Sequence, residues 1–496
     1  MIPYGSITQA ERIQTPLSSE MVGALSLWYD LYRDRAPWKE AGRVKSLNLA
    51  ALAASEIARQ VVLEVAWDVA EPEGERPLPA PRLPGRLPVK GRAFGEAAED
   101  AAAGTSSDSP GGGRPSPKER ASRASYLKTE FGKLMDVLRQ KLEVGCAAGG
   151  MIVKPYPNPE DGRICFDWAM DWGIYPLAFD DDGNLSDVII PDVFREGKVI
   201  YTRLERHRLE GADVVITQRA FRSTVEDCLG SEVPLSSVAR WAALAPEATV
   251  TGAGGMLFGW FKVASANTVD ADCPLGASVY ARGADVIREI DMQYSRLLWE
   301  FEGGELAVDV DPTALYEKSD GQGRKLPKLN ERLFRAVDTG ADATYEVFAP
   351  TLRDVSLVNG LNQLLIRFED LCGLSRGTFS DANVDARTAT ELKIVKQRSY
   401  ATVADNQKAL EKCLRDVLRA MDVYATIYQL APEGAWEATF EWDDSILTDV
   451  DAQLQQRLLL VNAGVIGKAE LRQWYLGESE ARAARAVAAI REEAKE

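Results

Sequence analysis

Apolar residues first recur at helical spacing over 19–34 and 43–66. In the second stretch Leu47, Leu49, Leu52, Ile57, Val61 and Val65 include several i, i+4 steps, which predicts an amphipathic helix. A third helix is expected over 124–144, with Leu127, Phe131, Leu134, Leu138 and Leu142 three or four apart and Gly145, Gly149 and Gly150 closing it. The period then shortens. MIVKPYP, RICFDWAM, DWGIYPLAFDDDGNLSDVII, KVIYTRLERHRL and DVVITQRAFR read as one antiparallel meander, with turns at 180–184, 195–198 and 210–213.

Helical spacing returns twice more. Over 283–302 it puts Val286, Ile290, Tyr294, Leu297 and Phe301 on one stripe, and over 351–372 Val355, Val358, Leu361, Leu365, Phe368 and Cys372. The residues between them, 304–350, read as short strands and turns, so a small module is carried at the end of a helical pair. A polar, glycine-containing stretch, 373–386, precedes a long helix opened by the capping box Thr388-Ala-Thr-Glu391. That helix can run to about Tyr428, roughly 60 Å at 1.5 Å per residue. One strand, 436–442, and short helices complete the chain, and no repeat of solenoid period is present.

Composition interrupts this pattern once. Residues 71–120 hold 9 Pro and 8 Gly, a content expected of a flexible insertion and not of a packed segment. The 496 residues allow about three domains, and 46% apolar content supports ordinary cores. No apolar run approaches the ~18 residues of a membrane span, and MIPYGSITQAERIQTP does not predict a signal peptide. The cysteines, 146, 165, 228, 273, 372 and 413, form no CxxC pair, which fits a reducing compartment better than a zinc site or disulfide framework. The net charge of −17 argues against a broad grip on nucleic-acid phosphates.

Catalytic chemistry has few tools here. The one histidine, His207, falls in KVIYTRLERHRL on the face of Tyr201, Arg203 and Glu205, where a solvated sheet face explains it better than catalysis. No GxSxG elbow is present. The acidic run 180–184 lacks calcium-loop spacing and reads as a tight turn. Gly464-Val-Ile-Gly467-Lys468-Ala469 is too short for a phosphate loop, and the glycines of 252–255 suggest a bend or close backbone approach. The helix after 388 is polar in its first half, including Lys393, Lys396 and Arg398, which suits either a solvated face or the wall of a wet channel. Mixed signs would let duplex DNA pass without the counterion-release affinity that stalls it.

The ordered series of stretches resembles the portal proteins of tailed bacteriophages, in particular the siphophage type infecting Gram-positive hosts. It is carried by CAAGGMIVKPY (146–156), DWGIYPLAFDDDGNLSDVIIPD (171–192), KVIYTRLERH (198–207), 259–305 and ARTATELKIVKQRSYATV (386–403), and covers most of 19–475 outside 71–122. The resemblance implies an α+β fold with long helices, an antiparallel β-rich wing, a helical stem and a small α/β clip. It further implies a ring, usually of twelve subunits, at one capsid vertex of a virion assembled in the host cytoplasm. Under it, 1–70 is the helical part of the wing, 71–122 an insertion without assigned role, and 123–282 the rest of the wing. Stem helices are 283–302 and 351–374, flanking a clip at 303–350. The tunnel loop is 375–387, the long helix and returning strand 388–441, and a short crown 442–496. Stem packing falls to Val286, Ile290, Tyr294, Leu297, Phe301, Val355, Val358, Leu365 and Phe368. The DNA channel falls to Ser375, Arg376, Thr378, Ser380, Asp381, Asn383, Asp385 and Arg387, with Lys393, Lys396 and Arg398 beside it. Lys318, Asp320, Arg324, Lys325 and Lys328 are the docking residues of the clip. Implied partners are further copies of the chain, the terminase large subunit, the major capsid and scaffolding proteins, a head-tail adaptor and double-stranded DNA passing without sequence specificity. No membrane, cofactor, metal or enzymatic activity is expected.

Two other classes remain open on sequence alone. A metal-dependent nuclease would need paired carboxylates, and Asp309/Asp311 and Asp443/Asp444 exist without an accompanying lysine or histidine pattern. A capsid or neck protein is disfavoured by the long helix after 388 and by the module between two helices.

Overall fold

A computed structural model describes residues 2–13, 15–39, 42, 44–63, 65–72, 122–158, 162–310, 334–336, 345–381, 389–442, 450–476 and 480–493. The chain opens with helices α1 (Tyr4–Glu11), α2 (Ser19–Tyr32) and α3 (Leu49–Val61). Ser18 caps α2 by accepting from the Met21 amide at 3.2 Å. The helix expected over 43–66 is shorter at both ends. Asn48 adopts a left-handed φ of 51°, and the residues before it are held by other partners. The Lys45 amide donates to Ser295 Oγ at 2.8 Å and the Leu47 amide to Asp291 at 3.2 Å. Beyond Val61 the chain enters strand β1 (Val65–Ala70). Of the expected stripe Leu49, Ile57 and Val61 are buried and Leu52 is exposed, and Ala50, Ala53, Ala54 and Ala58 share the buried face. Small side chains let neighbouring helices approach closely, so the alanines mark the contact.

Helix α4 (Arg123–Ala148) buries Leu127, Phe131, Leu134, Leu138 and Leu142, the stripe its spacing demands. It does not stop at Gly145. The Met151 side chain fills the space beside that glycine, 2.9 Å from where a Cβ would sit, and the helix ends at Gly149, with φ of 91°.

The expected single meander is two sheets. Strands β2 (Gly150–Asn158) and β3 (Arg163–Met170) form one with β10 (Gly259–Lys262), in the order β10-β2-β3. A 3-10 turn at Asp171–Gly173 then diverts the chain. Strands β4 (Tyr175–Phe179), β5 (Leu185–Glu196), β6 (Val199–Glu210), β7 (Asp213–Ser223) and β8 (Ser231–Val233) form the second, antiparallel throughout. Strand β9 (Glu247–Val250) adds to β7. The turns fall where the sequence places them. Asp180 Oδ1 accepts from the amides of Asp182 (3.0 Å) and Asn184 (2.7 Å), and Gly197 and Gly211 take positive φ in the hairpins. The bend at 252–255 is a close approach: Arg419 donates to the carbonyls of Ala253 (3.1 Å) and Met256 (2.9 Å).

The remaining elements are α5 (Ala284–Gly303), β11 (Ala307–Val310), β12 (Phe334–Ala336), β13 (Tyr345–Phe348), α6 (Asp354–Cys372), α7 (Ala389–Ile427), β14 (Glu437–Trp442), α8 (Val450–Asn462), α9 (Lys468–Leu476) and α10 (Glu480–Glu493). Strand β14 pairs antiparallel with β1, and Phe131 of α4 meets both Trp67 and Phe440, with ring centroids 5.2 and 6.2 Å away. One core joins α2, α3, α4, the second half of α7 and strands β2 and β10, through Trp28, Phe131, Met151, Phe261, Leu410 and Leu414. The Gly259 backbone lies against the Cys413 carbonyl, which seats β10 directly on α7. The architecture is mixed α+β with antiparallel sheets, as expected. His207 corrects another expectation: it is fully buried, its Nε2 2.7 Å from Glu205, and not on a solvated face. The insertion within 73–121 and the capping threonine at 388 lie outside the described residues.

Candidate functional site: a helical pair, its distal module and the loop behind it

Helices α5 and α6 lie side by side and antiparallel. At one end Phe368 packs against Gly283; midway Gln293 Nε2 donates to the Leu357 carbonyl at 3.2 Å; at the far end Arg353 grips Glu300 at 3.1 and 2.6 Å. Those hydrogen bonds from Arg353 hold the Glu300 carboxyl at about 2. At three to four residues per turn this places the predicted stripes face to face, but their burial is graded. Near the body Ile290 and Phe368 are fully buried, Leu297 is buried, and Val286 and Leu365 pack against the core. Tyr294 is half-buried. Toward the far end Phe301, Val355 and Val358 are exposed, Val355 at 68%. Trp299 (70%), Leu306, Val347 and Leu352 extend that apolar surface.

Two buried acids tie the near end down, and neither was singled out from the sequence. Asp291 of α5 accepts from Trp38 Nε1 at 3.0 Å and from the Leu47 amide, and burial raises its pKa. Glu369 of α6 is fully buried and organises the start of the following loop. Its carboxylate accepts from the amides of Gly377 (3.1 Å), Phe379 (2.5 Å) and Ser380 (2.7 Å) and from Ser380 Oγ (2.8 Å). The available signal was position: Glu369 follows Phe368 and lies four residues after Leu365, so a carboxylate shares the apolar stripe and must find donors.

Residues 375–381 therefore fold back along α6. Arg376 forks onto Asp370 at 3.1 and 2.9 Å, the Thr378 hydroxyl donates to the Ser375 carbonyl at 2.6 Å, and the Asp381 amide donates to Asn362 Oδ1 at 2.8 Å. Ser380 is buried on Glu369, which corrects its assignment to a channel surface. Gly373, at φ of 71°, lies against Thr402 of α7, whose hydroxyl donates to the Gly373 carbonyl at 3.1 Å. Asn383, Asp385 and Arg387 lie outside the described residues. Lys393, Lys396 and Arg398 lie on the first turns of α7, and their side chains are outside the description.

Within the module between the helices, β11 pairs in parallel with β12 and antiparallel with β13. Lys318, Asp320, Arg324, Lys325 and Lys328 lie outside the described residues. So do Asp311, Asp443 and Asp444 of the nuclease alternative, while Asp309 sits in β11. Among the described residues no three His, Cys, Asp or Glu side chains gather to hold a metal ion, and no helix is long and apolar enough to cross a membrane.

The family pattern described as phage portal protein, SPP1 Gp6-like, matches residues 128–496, about three quarters of the chain. The chain belongs to that portal family. The match takes in everything from the first turns of α4 onward: both sheets, the helical pair with its module, and α7 to α10. It starts later than the resemblance read from the sequence, so α1 to α3 and β1 precede it, and it extends past 475 to include α10. No curated protein matches this portal chain.

Proposed function

We propose that this portal protein forms a closed ring, of twelve subunits, at one vertex of the phage head, through which double-stranded DNA is packaged and later ejected. In this reading α5 and α6 are the stem, 303–350 the clip that meets the terminase large subunit and later a head-tail adaptor, 375–387 the tunnel loop, and 1–282 with 388–441 the wing. Capsid and scaffolding proteins would contact the wing from outside, and the motor's nucleotide hydrolysis, not this chain, would drive the DNA. Twelve copies at −17 carry about −204, a field that keeps duplex from adhering if part of it faces the lumen.

The observation that supports ring formation best is the exposed apolar end of the helical pair. Trp299 and Phe301 on α5, Val355 and Val358 on α6, and Leu306 and Leu352 just beyond the helix ends are all exposed large apolar side chains at the far end of the pair. Apolar surface of that kind marks an interface. An interface that joins unlike faces of identical copies closes into a ring when the rotation permits. Mass photometry with negative-stain imaging of the purified full chain tests the reading. A ring near 650 kDa, twelve times 54.4 kDa, is expected; a folded monomer at every concentration, together with magnesium-dependent DNA cleavage, would overturn it.

A further inference from the structure

Two consecutive acids at the end of α6, Glu369 and Asp370, have separate roles toward the segment that follows, and the proposed ring makes use of neither. Glu369 holds the backbone. Its buried carboxylate takes the amides of Gly377, Phe379 and Ser380, and Gly377 turns at φ of 92°. The Leu374 amide returns to the Glu369 carbonyl at 2.9 Å, and the Thr378 amide closes onto the Ser375 carbonyl at 3.2 Å. The Phe379 ring centroid lies 6.3 Å from that of Phe368. Residues 374–380 are therefore fixed to α6, and the backbone of Arg376 with them.

Asp370 holds the charge. Arg376 donates from Nε and Nη2 to its two oxygens, at 3.1 and 2.9 Å, a bidentate pair. Asp370 is the sheltered partner, 17% exposed against 57% for the arginine side chain. An exposed ion pair contributes little when two free side chains must be ordered to make it. Here Glu369 has already ordered the backbone that carries Arg376, so less entropy opposes the fork. Arg376 is the one cation among the described residues 369–381, which also hold Glu369, Asp370 and Asp381. Left unpaired, an exposed arginine binds duplex phosphate by releasing counterions, and identical copies around a ring multiply the effect. We propose that Asp370 is a positioning residue for DNA passage: it keeps Arg376 turned onto the stem with its charge compensated, so that duplex slides past without adhering. The proposal rests on the portal reading, in which 375–387 is the tunnel loop. The chemistry involved is that of the DNA phosphate backbone, independent of base sequence.

The test uses rings of the full chain, checked by mass photometry, and a fluorescent blunt duplex of mixed sequence. Binding is followed by anisotropy from about 50 to about 200 mM sodium chloride. Asp370→Asn keeps the shape of the side chain and removes its charge. It should tighten duplex binding at least tenfold at the lower salt and steepen the salt dependence. Adding Arg376→Gln should return both readouts to the wild-type level, which a merely loosened loop would not do. Asp370→Ala carries the test if Asp370→Asn does not assemble. Intact Asp370→Asn rings that bind duplex no better than wild type overturn the proposal. So does a double variant that binds as tightly as Asp370→Asn, which would place the gain outside Arg376. A wild-type chain that forms no ring overturns the portal reading and this proposal with it, a result distinct from either.

Discussion

At the scale of single residues, the most consequential side chains are buried acids that the hydrophobic pattern hides. Glu369 satisfies three amides and a hydroxyl from within one carboxylate. Glu369→Ala should lower the unfolding free energy by about 2–4 kcal/mol, because donors are orphaned as well as bonds lost, as measured by urea denaturation. Asp171 is the contrasting case. It is fully buried, Trp260 Nε1 donates to one oxygen at 3.1 Å, the other has no partner, and burial pushes its pKa up to about 7. The folded state therefore holds a proton that the unfolded chain gives up near pH 4. Between pH 4 and 7 the folded chain binds the extra proton, so stability falls as pH rises and levels off above 7. The difference in unfolding free energy between wild type and Asp171→Asn should shift by roughly 4 kcal/mol in favour of the variant from pH 4 to 7.5. A flat difference would show that Asp171 is ionised throughout. His207 carries the same lesson about legibility: one residue in an alternating strand reads as exposed or buried only when the sheet's partner layer is known.

Among elements, those with a single strong signal were legible. The stripes of α4, α5 and α6 and the glycine turns of β5 to β7 placed helices and hairpins within a few residues. What failed depended on distant partners. β2 and β3 belong to a different sheet from β4 because β10, about a hundred residues later, completes their ladder. α3 buries alanines because α4 is close, which periodicity of large side chains cannot report. In the helical pair, spacing identified the stripes but not where along them burial ends. The prediction at this scale uses that gradient: Trp299→Glu with Val355→Lys should leave the thermal unfolding of the subunit nearly unchanged and abolish assembly, read by mass photometry. If the double variant loses its fold instead, the exposed end contributes to the subunit core and the interface lies elsewhere.

For the whole molecule, the body and the helical pair are joined at identifiable points: Asp291 to residues 38–47, Glu369 to 377–380, and Gly373 to Thr402. Charge reversal at Lys318, Arg324, Lys325 and Lys328 should weaken capture of the terminase large subunit at least tenfold while leaving particle mass unchanged; undiminished capture would remove 303–350 from the docking account. The pairing of β1 with β14 also has a consequence for how the chain is made. Trp67 leaves the ribosome some 370 residues before Phe440, its partner across the ladder. At ~5–20 residues per second that is a wait on the order of 20 to 70 seconds. During it the β1 edge lacks its β14 partner, so the nascent chain passes through a long adhesive interval that ends only when β14 emerges.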